Sequence, residues 1–185
     1  MSLAEDLHAS EARDNARLSL TGHERLMGED DLIASKTDSR GVITYANRTF
    51  LNIADYGEEE VLNKPHNLVR HPHMPRCVFK LLWDTIKKGD EIFAYVINRA
   101  RNGDHYWVFA HVTPTLSPTG EITGYHSNRR APRRDAVNAI YPVYKELLRK
   151  ENEIGGRAGM EASTRMLLET LAAKGVGYDE FVLTL

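Results

Sequence analysis

The chain has 185 residues with 24 Lys plus Arg against 26 Asp plus Glu, a formal net charge of -2. That length suits one domain of ordinary size with peripheral helices, and the near-balance of charge excludes a global electrostatic pull toward nucleic acid. An apolar fraction of 42 % excludes disorder throughout, and the lone cysteine, Cys77, excludes an intrachain disulfide or an all-cysteine metal site.

Residues 1–29 are rich in Ala, Leu, Glu and Arg, with a thin apolar stripe of Leu3, Leu7, Leu18 and Leu20. They predict a peripheral helical cap punctuated by Gly22 and Gly28. Leu32 and Ile33 open a strand. Asp38-Ser39-Arg40-Gly41 supplies a turn, and Val42, Thr44 and Ala46 alternate with Ile43 and Tyr45 to close a hairpin. Asn47 is a favoured cap for a short helix through Phe50 and Ile53, because its side chain can accept an unpaired backbone N–H.

Residues 55–90 read as loops and short helices broken by Pro65, Pro72 and Pro75. From Pro75, the residues Val78, Phe79, Leu82, Trp83 and Ile86 recur at helical spacing until Lys87-Lys88-Gly89 stops the helix. Three strands follow, EIFAYVINRA, HYWVFAHVTPTL and EITGYHSNRR, joined through the turn signals Asn102-Gly103 and Ser117-Pro118-Thr119-Gly120. DAVNAIYPVYKELLRKENEI predicts a helix with Pro142 near its start or at a kink. Gly155-Gly156 breaks it, MEASTRMLLETLAAK forms a second helix closed by Gly175, and YDEFVLTL is a short apolar tail.

Five antiparallel strands with the intervening helices on one face make an α+β fold, and a small molecule would sit between that helical cover and the sheet. No Gly-rich phosphate loop, nucleophile elbow or H-E-x-x-H motif is present, so the chain reads as a non-enzyme. No apolar run approaches the roughly 18–20 residues of a membrane span. With a polar start and one cysteine, a cytoplasmic location is expected.

Three segments carry a resemblance: ITYANRTFLNIADY (43–56), PHNLVRHPHMPRCVFKLLWDTIKKG (65–89) and NRARNGDHYWVFAHVTP (98–114). They resemble the PAS domain of bacterial aerotaxis receptors, whose signatures read N-x-V-R-H-P-D-M-P and N-R-R-K-N-G-D-x-Y-W-V. YPVYKEL, at 141–147, resembles the stretch just after that domain. The chain departs from the pattern at His73, where the family has an acid, and at Asp90–Phe93, where it commonly has a tryptophan. The resemblance implies a PAS sensor domain over residues 30–131, flanked by the 1–29 cap and a helical extension at 132–185. It also implies non-covalent FAD in the pocket and a role in reporting redox or oxygen state. Some related receptors use heme.

Matched onto the family pattern, Asn47, Arg70, His71, Trp83 and Asn98 are the cofactor candidates. An isoalloxazine ring needs apolar walls, which Phe50 and Phe79 could add, and a few donors and acceptors at its edge. Each residue has a plainer reading: a helix cap for Asn47, a loop lock for Arg70 and His71, core for Phe50, Phe79 and Trp83. A buried amide such as Asn98 costs free energy unless paired. His66, His71 or His73 could instead serve a heme b. Cys77, in Pro-Arg-Cys-Val-Phe, lacks the context of a photochemical cysteine and reads as a small buried side chain.

Arg129-Arg130 and Arg133-Arg134 read as a basic patch on a solvated linker or partner contact. A homodimer and a separate downstream signalling protein are the expected partners, with no nucleic acid, and the tail helices are expected to pack on the domain or mediate self-association. A cofactor-free interaction module is the remaining alternative.

Overall fold

The computed structural model describes residues 20–185. The expected helix at the start of the chain lies mostly outside these residues. The part that can be compared is not helical. Residues 20–25 run extended beside the start of the fourth strand, with Arg25 N–H donating to the His105 carbonyl (2.8 Å) and His105 N–H donating to that of His23 (2.9 Å). Asp104 anchors this segment, accepting from Thr21 Oγ1 (2.6 Å) and Arg25 Nε (2.9 Å). These bonds hold its carboxyl well below the usual range, Thr21 contributing most. Gly22 and the lack of an apolar stripe leave residues 20–25 little helical preference of their own, and pairing with a strand satisfies their backbone groups instead.

The elements are β1 (Ile33–Asp38), β2 (Ile43–Ala46), α1 (Arg48–Ala54), α2 (Glu58–Val61), a 3-10 turn (His66–Val69), α3 (Arg76–Ile86), β3 (Ile92–Arg99), β4 (His105–Leu116), β5 (Ile122–Arg130), α4 (Arg134–Ile154), α5 (Gly156–Lys174) and α6 (Tyr178–Leu183). The five strands form one antiparallel sheet in the order β2-β1-β5-β4-β3. The expected strands, the α1 cap and the helix from Pro75 are all present. The short apolar tail YDEFVLTL forms α6 and buries Val182. Gly155-Gly156 separates α4 from α5, and Pro142 lies inside α4.

Register decides which side chains share a face. Ile33 lies opposite Arg129, which lies opposite Ala110, and Ala110 lies opposite Ala94. Ser35, Ser127, Val112 and Ile92 form a second cross-sheet row. Val108 pairs with Val96 and Tyr106 with Asn98. Opposed residues point the same way and strand neighbours alternate. These residues therefore form one inner face, which α1 and the 3-10 turn cover through Phe50 and His66.

The outer face carries Tyr95, Ile97, Trp107 and Phe109. There α4 lays Tyr144 nearly parallel to Trp107 (6.2 Å between ring centres) and donates its hydroxyl hydrogen to the Tyr95 carbonyl (2.7 Å). The α4–α5 hairpin thus engages the edge of the sheet at β3 and packs α5 against α3. None of the described helices is long and apolar enough to cross a membrane.

Candidate functional site

The inner face holds polar atoms that its apolar surroundings do not satisfy. Thr37 Oγ1, Asn98 Nδ2, Tyr106 OH, Ser127 Oγ and Arg129 NH1 are buried without a hydrogen-bond partner. Apolar side chains surround them: Val96, Val108 and Ala110 lie on this face and Phe50 packs against Arg129, all at most 5 % exposed. Unpaired buried polar groups cost roughly 1–3 kcal/mol each, so these atoms are the candidate contacts for a polar ligand.

The chain brings this set together in three ways. Period-two alternation turns Tyr125, Ser127 and Arg129 of β5 to the same side. The Asn47 cap fixes the entry of α1, which seats Phe50 beside the Arg129 guanidinium (5.7 Å to the ring centre). The 3-10 turn delivers His66, whose Nε2 lies 2.6 Å from one Arg129 nitrogen and 3.0 Å from Ser35 Oγ. That Arg129 nitrogen also donates to Ser35 Oγ at 3.0 Å.

Burial and the Arg129 charge push the His66 imidazole down to about 3, so it is neutral near pH 7. Burial lowers Arg129 itself to about 10, which leaves it charged. Burial raises the Tyr106 phenol and keeps it protonated.

The seven residues named from sequence occupy different surroundings. Asn98 and Phe50 lie on or against the inner face. Asn47 spends its amide on structure: Oδ1 accepts from the Phe50 and Ala34 N–H groups (both 3.0 Å), and Nδ2 donates to the Leu32 carbonyl (2.7 Å). Arg70 makes a backbone bridge to Asn98 and sets its guanidinium over Phe79 (5.1 Å). Its side chain also lines a cleft of about 300 Å³ with Met74, Arg76, Glu151 and Gly155. The His71 ring packs on His73 and His105 (4.9 and 5.7 Å). Trp83 meets Tyr125 edge-on at 5.3 Å, in a second apolar cluster with Leu82, Ile86, Ile92 and Val112.

Sequence reading missed Ser35, His66 as an Arg129 partner, Tyr106, Ser127 and Arg129. The alternation of ITGYHSNRR puts Arg129 and Arg130 on opposite faces of β5, but nothing in it says which of them turns inward. The expected basic patch is corrected: Arg129 points inward at 4 % exposure while Arg130 is exposed. Arg133 engages Asp135 and the Leu185 carbonyl, and Arg134 pairs with Glu24.

A five-stranded antiparallel sheet in this order, with a helical cover over a partly polar inner face, defines a PAS-type ligand-sensing fold. Residues 43–129 match the family model described as the PAS fold. The chain carries a PAS domain of the aerotaxis-receptor type. It is 41 % identical over 121 residues to the aerotaxis receptor of Escherichia coli (strain K12), covering 65 % of this chain and 24 % of that protein. It is 34 % identical over 96 residues to the nitrogen fixation regulatory protein of Klebsiella pneumoniae, covering 52 % and 19 %. The chain therefore spans about a quarter or less of these relatives. Among solved structures, the dark state of the blue-light photoreceptor Aureochrome1 LOV aligns with a TM-score of 0.51 at 25 % identity, over 66 % of this chain and 85 % of that one. A Light-Oxygen-Voltage domain studied with a flavin analogue aligns with a TM-score of 0.54 at 16 % identity, over 77 % and 98 %, a likeness of fold.

Proposed function

We propose that this PAS domain holds a flavin, FAD, between its inner sheet face and the α1–α3 cover, and reports redox or oxygen state to a separate signalling protein in the cytoplasm. The observation that carries this reading is the row of unpaired polar atoms on an otherwise apolar face. Asn98 and Ser127 would meet the ring's polar edge, and Phe50, Val96 and Val108 would wall it. A bound flavin supplies a ring whose charge and hydrogen-bonding pattern change on reduction.

The chain's own part is to convert that change into movement. The Asn98 backbone is bridged to Arg70, and the loop from Arg70 leads directly into α3. A shift at the inner face therefore has a covalent and hydrogen-bonded route to the helical cover. The heme alternative is less well supported, because His66 Nε2 already faces Arg129 and Ser35, and His71 Nδ1 accepts from the His73 N–H (3.1 Å).

The absorption spectrum of the purified protein, with and without added FAD, tests the proposal. Bands near roughly 370 and 450 nm are expected for a bound flavin. A Soret band, or a colourless protein that takes up no FAD, would sink it. Asn98→Leu is expected to weaken FAD binding at least about tenfold while leaving the apo protein no less stable, since it removes a buried donor that no protein group satisfies.

A further inference from the structure

Arg129 is a fully formed cation in the interior with no anion beside it. It is 4 % exposed, its protein partners are the hydroxyl of Ser35 and the ring of His66, and NH1 has no partner. No carboxylate pairs with it among the described residues. Asp38 caps the turn before β2, Asp104 holds the 20–25 segment, and Glu151 binds the start of α3. A buried charge is ordinarily matched by an opposite one, because desolvation costs several kcal/mol. The two groups that hold Arg129 are both neutral: a serine, and a histidine that burial and the guanidinium itself keep unprotonated. They orient the cation without cancelling it. Beside it lie further unsatisfied groups of the same face, Ser127 Oγ and Tyr106 OH.

We infer that Arg129, positioned by His66 and Ser35, is the subsite that reads negative charge on the pocket's occupant, so that the pocket binds a flavin more tightly in its anionic reduced form than in its neutral oxidised form. The inference rests on the flavin reading above and adds to it the sign of the response. Two electrons and one proton added to a neutral isoalloxazine leave one net negative charge on the ring. Placing that charge near an uncompensated guanidinium in a low-dielectric interior is favourable, whereas the oxidised ring offers it only carbonyl dipoles. A site that prefers the reduced form raises the midpoint potential of its flavin.

The test is a potentiometric titration of the full 185-residue chain reconstituted with FAD and reduced by dithionite, beside free FAD in the same buffer. The wild-type midpoint is expected above that of free FAD by at least about 30 mV, which is a tenfold preference for the reduced form in a two-electron couple. Arg129→Gln is expected to lose at least that tenfold preference, and Arg129→Lys to keep most of it. A wild-type midpoint at or below that of free FAD overturns the inference without any variant, as does an Arg129→Gln protein whose midpoint matches the wild type. If Arg129→Gln does not fold, the wild-type value and Arg129→Lys decide between the two outcomes. A wild-type protein that binds no FAD fails at the earlier step and sinks the flavin reading itself, a result distinct from flavin bound without preference.

Discussion

His71, together with His66, is one of two buried rings among the described residues that make this fold sensitive to acid. Burial, followed by the neighbouring charges of His73, His105 and Arg99, pushes it down to about 3. In the unfolded chain the imidazole has its ordinary value near 6.5. Between those values the unfolded state takes up a proton that the folded state refuses, so stability present above about pH 6.5 is lost as pH falls toward 3. At pH 5 this difference amounts to about 2 kcal/mol, at 1.36 kcal/mol per unit. His71→Gln should be less sensitive to acid, and urea unfolding of both proteins at pH 7.5 and 5.0 checks it. An unchanged pH slope would show that the His71 ring does not add to the acid sensitivity of the fold.

Gly41 is a second residue whose role is local and sharp. It sits at φ +84, and a Cβ there would come within 2.9 Å of the Trp83 ring. Gly41→Ala therefore combines backbone strain with a clash, and a loss of about 1–3 kcal/mol is expected in thermal or urea unfolding. At this scale the sequence was legible where a residue acts through its neighbours. The Asn47 cap and the Asp38–Gly41 turn are where composition places them. It was not legible for the inward turn of Arg129, whose Ser35 partner lies 94 residues away.

Glu151 links two elements that composition alone keeps apart. Pro75 precedes α3 and offers no side-chain cap. Instead the Glu151 carboxylate, reaching over from α4, accepts from the Arg76 N–H (3.0 Å) and the Cys77 N–H (2.9 Å). Ser163 of α5 donates to the same carboxylate at 2.9 Å. An acid at a helix N-terminus satisfies unpaired donors and suits the helix dipole. Here it also ties α3 to the C-terminal hairpin. Glu151→Ala should cost about 2–4 kcal/mol and speed amide exchange at Arg76 and Cys77, while the β-sheet amides keep their protection. Gly159 lets α4 and α5 approach this closely, since a Cβ there would stand 2.3 Å from the Glu151 carbonyl oxygen. The sequence located both helices and the glycine break between them. Their crossing onto α3 depends on a buried carboxylate 74 or more residues from its backbone partners.

At the scale of the molecule, the C-terminal helices belong to the same core as the sheet. Ala136, Val137, Ile140, Tyr144 and Leu147 of α4 are buried in one cluster with Tyr95, Ile97 and Trp107. Each large apolar side chain removed from water contributes about 1.5–3 kcal/mol. Ending the chain after Pro132 should therefore uncover an aromatic face, lower the melting temperature and promote association. Calorimetry and sedimentation of the shortened protein test this, and a truncated protein that melts with the full chain would show the helices to be appended.

The sequence by itself determined the order of the elements, the period-two strands, the helix from Pro75 and the motifs that tie residues 43–129 to PAS domains. Those features are written in spacings of two to four residues, the range over which backbone geometry acts. Only the tertiary structure decided that Arg129 faces inward without an anion, that residues 20–25 pair with β4 in place of forming a helix, and that Glu151 caps α3. Each of those outcomes depends on satisfying a buried polar group or a backbone donor from a distant part of the chain. Local periodicity does not encode such a partner until the sheet register and the helix packing bring it into reach.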